Sequence, residues 1–305
     1  MRVLFSLFSL VPGVSKGEAI QATPVMPELP EVETVRLALA PVLAGRTLAH
    51  VTVRKRDLRV PLPRDFAVRL TGRKVLAVER RAKFLLVRLE GGLTLVIHLG
   101  MSGRVRIFKR SPPPPEKHDH VEFATDAGCT IRYNDARRFG LMGLIADKDL
   151  GAHPWFRALG PEPLDAAFTG PVLAARFKGR KTPLKAALMD QRVVAGLGNI
   201  YVSEALFRAG LSPKRAAGTV AGPRAAGLVK SIKAVLKAAI ASGGSSLRDH
   251  RQPSGELGYF QHRFAVYDRA GLACPGCRCA VAKTGGIRRI VQGGRATFYC
   301  PRKQK

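Results

Sequence analysis

RKVLAVERR (residues 73–81), KFLLVRLE (83–90) and LTLVIHL (93–99) follow one another almost without punctuation. Each alternates or runs apolar over the length of a strand, and Gly91-Gly92 sits between the last two as a hairpin turn. TLAHVTVRK (47–55) precedes them in the same style. Further strands are predicted at Gly103–Phe108, Val121–Thr125, Thr130–Tyr133 and Leu141–Ile145, with Pro112–Pro115 as a stiff loop tip between them. A succession of short strands predicts a β-sandwich or barrel.

Working outward, PEVETVRLALAPVLA (30–44) reads as a helix. Pro30 suits the first helical position, and Val32, Val35, Leu39 and Val42 make one apolar stripe. Glu31 and Glu33 are read as complements to the helix dipole on a solvated face, and Pro41 as a kink near the end. After residue 147, HPWFRALGPEPLDAAFTGP holds four prolines and predicts a linker with some helical turns. Helical periodicity then dominates from about 171 to 250, with TPLKAALMD, IYVSEALFRAG and AAGLVKSIKAVLKAAIASGG. The last 55 residues are loop-rich and end in a cysteine-bounded hairpin.

Lysine and arginine number 51 against 22 acidic residues, a formal charge of +29. That excess favours a polyanion, because each phosphate neutralised releases a counterion. At 46% hydrophobic residues the chain can build a core, which excludes global disorder. The apolar run Val3–Val11 is too short to span a membrane. Four of the five cysteines lie in the last 32 residues, a distribution that predicts a metal site rather than a disulfide framework.

The string Met26-Pro27-Glu28-Leu29-Pro30-Glu31-Val32-Glu33-Thr34-Val35-Arg36 resembles the N-terminus of the formamidopyrimidine-DNA glycosylases and their endonuclease VIII relatives. The resemblance continues in order through RRAKFLL (80–86), HLGMSG (98–103), EKHDHV (116–121), DARRFG (135–140), LGPEPL (159–164), GLGNIYVSEALF (196–207), GGSSLRD (243–249) and RATFYC (295–300). It covers residues 26–300, and EKHDHV, DARRFG and LGPEPL look like the purine-lesion branch. It implies an α+β multidomain fold. An N-terminal antiparallel β-sandwich with flanking helices (26–147) would lead through a linker (148–170) to a helix–two-turns–helix domain (171–268) and a zinc-finger-like β-hairpin (269–305).

The resemblance also implies roles. Pro27, first in the chain once the initiator is removed, would attack the sugar carbon that bears the damaged base. An N-terminal amine, with a reference pKa of about 7.7–8.0 against about 10.4 for lysine, is partly neutral at pH 7. Glu28 would be general acid/base. Lys83 would contact the sugar and phosphate at the lesion, and Arg295 would hold the lesion phosphate. The target nucleotide must leave the stack. Met101, Arg137 and Phe139 match the residues that fill the hole: an apolar plug, a guanidinium for the orphaned base, and an aromatic wedge. His118 matches a DNA-contact position and His120 a structural one. Gly196, Gly198 and Asn199 would approach a phosphate, and Arg180 or Lys181 lies near a lysine contact of the family.

The cysteine segment departs from the pattern. Cys274 and Cys277 form an intact C-x2-C. Cys300 follows after 22 residues, and Lys303 stands where a fourth cysteine belongs. One zinc ion is expected on Cys274, Cys277 and Cys300, with Cys279 as a substitute ligand. From Arg269 onward there are nine basic residues and no acidic one, so this hairpin is expected to face DNA. At the other end, residues 1–25 would turn the Pro27 nitrogen into an amide with a delocalised lone pair. The reading therefore takes Met26 as the true start and 1–25 as upstream sequence, with proteolytic removal as the second option. If the extension were retained, the chain would be a DNA-binding protein without cleavage activity. The expected partner is damaged double-stranded DNA, met by a monomer in the bacterial cytoplasm at the nucleoid, away from membranes. The expected reaction is excision of 8-oxoguanine and formamidopyrimidines followed by β,δ-elimination, with oxidised pyrimidines as the alternative substrates.

Overall fold

The computed structural model describes residues 26–245, 253, 258–277 and 280–305. The extension 1–25, the end of GGSSLRD beyond Ser245, and Cys279 lie outside the described residues.

Helix α1 (Leu29–Leu43) opens the fold and is followed by strand β1 (Leu48–Val53) and the short helix α2 (Phe66–Leu70). Seven strands come next: β2 (Val75–Arg81), β3 (Phe84–Leu89), β4 (Leu93–His98), β5 (Gly103–Phe108), β6 (Asp119–Thr125), β7 (Thr130–Asp135) and β8 (Leu141–Ala146). They make two four-stranded antiparallel sheets, ordered β1-β6-β7-β5 and β2-β3-β4-β8. The sandwich predicted from alternation is present, and the Gly91-Gly92 turn joins β3 to β4.

Val32, Val35 and Leu39 of α1 enter the sandwich core beside Val75, Leu85, Val87, Leu95 and Ile97. Leu43, rather than Val42, completes the stripe. Pro41 does not end the helix, since the Ala44 N–H still donates to the Ala40 carbonyl at 2.9 Å. β4 is buried on both faces because the linker covers the outer one: Phe156, with Trp155 and Leu159, packs on Leu86, Val96 and Ile145. That is why LTLVIHL runs continuously apolar instead of alternating.

A second core gathers α3 (Gly170–Phe177), α4 (Leu184–Met189), α5 (Asn199–Ala209) and α6 (Gly222–Ala241). The chain closes with a helical turn, α7 (Val281–Thr284), and the antiparallel hairpin β9 (Arg288–Gln292) and β10 (Arg295–Tyr299). Phe298 and Cys300 tie that hairpin into the helical core. Leu29 belongs to the helical core although the rest of α1 serves the sandwich, and its N–H donates to the Gly196 carbonyl at 3.1 Å. One helix thus belongs to both cores, and the segment just before it lies at their junction. No described helix is long and apolar enough to cross a membrane.

Candidate active site

A cavity of about 500 Å³ opens at that junction, lined by Met26, Glu28, Arg59, Lys83, Gly100, Met101, Phe139, Met189, Gly198, Asn199, Tyr267 and Arg295. A neighbouring cavity of about 310 Å³ shares Met26, Lys83, Met189 and Arg295, and adds Phe84, His98, Trp155 and Gln191. Seven of the residues singled out from sequence therefore meet in one place: Glu28, Lys83, Met101, Phe139, Gly198, Asn199 and Arg295. Pro27 is buried between two cavity-lining neighbours. His118, Arg137 and Arg180 do not line either cavity.

Glu28 shows how the two halves build the site together. It precedes α1, yet its carboxylate receives the N-terminus of α5, from the Ile200 N–H at 3.0 Å and the Tyr201 N–H at 3.5 Å. A carboxylate at a helix N-terminus satisfies orphan donors and the dipole together. Gly198 makes this possible, because a Cβ there would lie 2.2 Å from the Glu28 carboxyl carbon. Of the backbone amides that the sequence assigned to a phosphate, that of Gly196 already has a partner. Ile200 and Tyr201 serve Glu28, and the Gly196 N–H serves the Gln191 side chain at 2.8 Å. Burial raises the Glu28 pKa to about 7, against the opposing pull of Lys83 and with the charge of Glu31 adding to the rise.

Glu31 corrects an expectation. It is 2% exposed, not on a solvated face. Its carboxylate accepts from the Glu28 N–H at 3.0 Å, the Ser245 N–H at 2.8 Å and hydroxyl at 3.0 Å, and the Tyr201 hydroxyl. It fastens the turn ahead of α1 to both α5 and the end of α6. Glu33 is ion-paired with Arg36 and Arg80.

Lys83 sits in the tight turn between β2 and β3, 7% exposed, and burial pushes its ammonium pKa down. Ala82, just before it, has φ +54, a conformation that L residues rarely adopt. Glu162 of the linker clamps this turn, accepting from the Ala82 N–H at 2.5 Å, from Arg80 at 2.8 Å and from Arg81 at 2.9 Å. His98 lines the neighbouring cavity. Burial, helped by Lys83 and Arg59, lowers its pKa to about 4, so the ring is neutral. Its Nδ1 accepts from the Gly100 N–H at 3.0 Å, which leaves Nε2 to carry the proton.

Three further residues were not singled out from sequence. Lys185 is 1% exposed, and its Nζ donates to the Ala296 carbonyl at 2.9 Å and the Thr297 hydroxyl at 2.6 Å. Burial, then the neighbouring Arg295, lowers its pKa to about 8. Arg180 lies against the Arg176 carbonyl at 2.9 Å and Asp190 at 3.5 Å. Tyr267 lines the cavity because the buried Glu204 accepts the N–H groups of Ala265, Val266 and Tyr267 at 2.8–2.9 Å. Arg59 arrives on the loop after β1. None of the three had a local signal, since each is brought in by partners remote in sequence.

Over the mouth stand two loops. Met101 lies in one. Arg137 and Phe139 lie in the other, with the guanidinium 5.4 Å from the ring centroid and Phe139 43% exposed. Asn199 donates to the Ala296 carbonyl at 3.0 Å, which links α5 to β10 beside Arg295.

At the far end, the sulfurs of Cys274, Cys277 and Cys300 lie within 4.8 Å of one another, close enough to hold a metal ion. Lys303 contributes its backbone, with its N–H 3.5 Å from the Cys300 sulfur. Its ammonium lies over the Phe207 ring at 4.1 Å and does not replace a fourth sulfur. Three ligands therefore fit a metal, and the Lys303 side chain does not.

A β-sandwich and a helical bundle meeting at such a cleft, with a cysteine hairpin beside it, define a class: the DNA glycosylases that also cleave at the abasic site. The family model for the formamidopyrimidine-DNA glycosylase N-terminal domain matches residues 26–142, and that for the H2TH domain of the same enzymes matches 159–251. The chain belongs to the formamidopyrimidine-DNA glycosylase family and is a DNA-repair enzyme. It is 58% identical to the Rhodospirillum rubrum formamidopyrimidine-DNA glycosylase over 281 residues, 92% of this chain and all of that one. Among solved structures it is similar to the MutM (Fpg) protein of Thermus thermophilus, with TM-score 0.78 and 42% identity over 91% of this chain and 98% of that one. It is also similar to a Lactococcus lactis Fpg mutant bound to DNA containing Fapy-dG, with TM-score 0.81 and 31% identity over 92% of this chain and 100% of that one.

Proposed function

We propose that the enzyme excises oxidised purines, 8-oxoguanine and formamidopyrimidines, from duplex DNA and then cuts the strand through the secondary amine of Pro27. The observation that carries this reading is the convergence of Met26, Glu28, Lys83 and Arg295 on one cavity, with the Glu28 carboxyl poised at about 7. Removal of Met26 turns the Pro27 amide into a free amine at the cavity wall. The amine lone pair attacks C1′ of the flipped nucleotide while the bond from C1′ to the base breaks and the base leaves with a proton. Opening of the sugar ring, with Glu28 delivering the proton to the ring oxygen, gives an iminium between Pro27 and C1′. The iminium acidifies the C2′ hydrogens, so the 3′-phosphate leaves by β-elimination and the 5′-phosphate by δ-elimination. Lys83 and Arg295, both in the cavity wall, are suited to those phosphates. The Lactococcus lactis Fpg mutant crystallised with Fapy-dG DNA supports the purine class, and the wild-type Fpg of that organism, crystallised with DNA containing an oxidised pyrimidine, keeps the pyrimidine class as the alternative.

Met101, Arg137 and Phe139 would fill the space left by the flipped nucleotide, and His118 and Arg180 would hold phosphates beyond the cleft. Zinc is the metal that suits the cysteine cluster, where it would fix the β9–β10 hairpin that carries Arg295. The protein would act as a monomer at the nucleoid.

Borohydride trapping on a duplex with one 8-oxoguanine tests the reading. Protein beginning at Met26 is expected to form a covalent adduct that maps to Pro27. DNA binding with no adduct would sink the Schiff-base route and leave the binding-only alternative. Preferential trapping on an oxidised pyrimidine would move the substrate to the other branch.

A further inference from the structure

The two loops over the cleft are separate in sequence, 98–103 and 135–140, yet one buried side chain joins them. Asp135, at the end of β7, is fully buried at 0% exposure. Its Oδ1 accepts the hydroxyl of Ser102, the residue after Met101. Its Oδ2 accepts the N–H of Gly140, the residue after Phe139, at 2.8 Å, and the Tyr133 hydroxyl at 3.1 Å. The Ser102 oxygen in turn accepts the Arg137 N–H at 3.1 Å. The backbone of Asp135 continues the pattern. Its N–H donates to the His118 carbonyl at 3.0 Å, and its carbonyl accepts from His120 at 2.7 Å and from the Arg138 N–H at 3.3 Å.

A buried carboxylate is costly unless donors surround it. Three donors do so here, and none of them belongs to the reacting cavity. The loops also approach backbone to backbone: a Cβ on Gly100 would come 2.4 Å from the Phe139 carbonyl carbon, and one on Gly140 2.9 Å from the His98 carbonyl oxygen. Arg138, at φ +55 and ion-paired with Asp57, fixes the bend between Arg137 and Phe139.

We propose that Asp135 is the positioning residue that holds Met101, Arg137 and Phe139 as one unit, so that plug, guanidinium and wedge enter the duplex together. The inference rests on the base-flipping reading above. It predicts that disturbing the carboxylate affects only steps that require a filled duplex. An abasic site in a single strand leaves no hole to fill, so cleavage there does not need plug, guanidinium and wedge to enter a duplex together.

The experiment uses protein beginning at Met26 and compares wild type, Asp135→Asn and Ser102→Ala. Excision of 8-oxoguanine from duplex is expected to fall about 10-fold or more in both variants, the scale of a misplaced positioning group. Discrimination between cytosine and adenine opposite the lesion should shrink with it. Cleavage of a single-stranded abasic site should stay within about 2-fold of wild type. A 2-aminopurine beside the lesion should brighten on binding wild type and much less on binding either variant. Unchanged duplex excision overturns the proposal, and so does parallel loss of both activities in a protein that melts as wild type does. If Asp135→Asn does not fold, Ser102→Ala, which leaves the carboxylate in place, decides by the same criteria. If wild type proves inactive on every lesion, the function reading has failed and the 2-aminopurine signal still tests the coupling.

Discussion

Glu28 and Glu31 are three residues apart in a string that reads simply as a helix start, and the structure gives both carboxylates buried, specific tasks. Apart from the Glu28 N–H that serves Glu31, their donors, on Ile200, Tyr201 and Ser245, lie some 170 to 214 positions away, so no local pattern could disclose those. Glu28 has a measurable signature. Its folded-state pKa, about 7, lies above the ordinary carboxylate value of 4.5, so the fold favours the protonated form. Stability is then full below about pH 4.5 and declines as pH rises through 7, by about 3 kcal/mol for this group alone. Glu28→Gln removes that dependence. The variant should unfold at higher denaturant concentration than wild type at pH 8 and match it near pH 4.5, while losing base excision at both. A wild-type advantage at pH 8 would show that Glu28 is held ionised. Lys185 was missed for the same reason as Glu31: a lysine in TPLKAALMD is unremarkable until Thr297 arrives beside it.

At the scale of elements, alternation and turn signals placed the strands well, because sheets expose their period in sequence. The tight turn between β2 and β3 escaped. Arg80 and Arg81 look like ordinary basic residues, but Glu162, in the linker, gathers both together with the Ala82 N–H. This carboxylate holds Ala82 in its left-handed conformation and so fixes the approach of Lys83. Glu162→Ala leaves two partly buried guanidinium groups and one amide without that acceptor. The expected cost is about 2 kcal/mol, read as a lower urea midpoint with an unchanged m-value. Stability equal to wild type would mean that the turn holds its shape unaided.

For the whole molecule, charge was the most legible property. With a net +29, DNA affinity should fall steeply with salt, the log–log slope lying between about −5 and −9 if six to ten phosphates are neutralised. A slope near −1 would mean that most of the charge lies off the DNA face. The cysteine cluster is equally testable: elemental analysis should find about one zinc per chain, and Cys274→Ser should abolish it. Retention of zinc in that variant would place the metal elsewhere. What composition could not reveal is that α1 belongs to two cores at once, a fact of packing that the single residue Leu29 decides.

That shared helix has a thermodynamic corollary. The sandwich carries Glu28, and the bundle supplies the amides that hold it. Any ligand that pries the halves apart lets water reach the carboxyl and lowers its affinity for hydrogen ions, while one that draws them together does the reverse. By reciprocity, acidity must in turn bias how closely the two halves meet. The heat of DNA association near neutrality will therefore depend on the ionisation enthalpy of the buffer, and a calorimeter becomes a gauge of how widely the cleft is open.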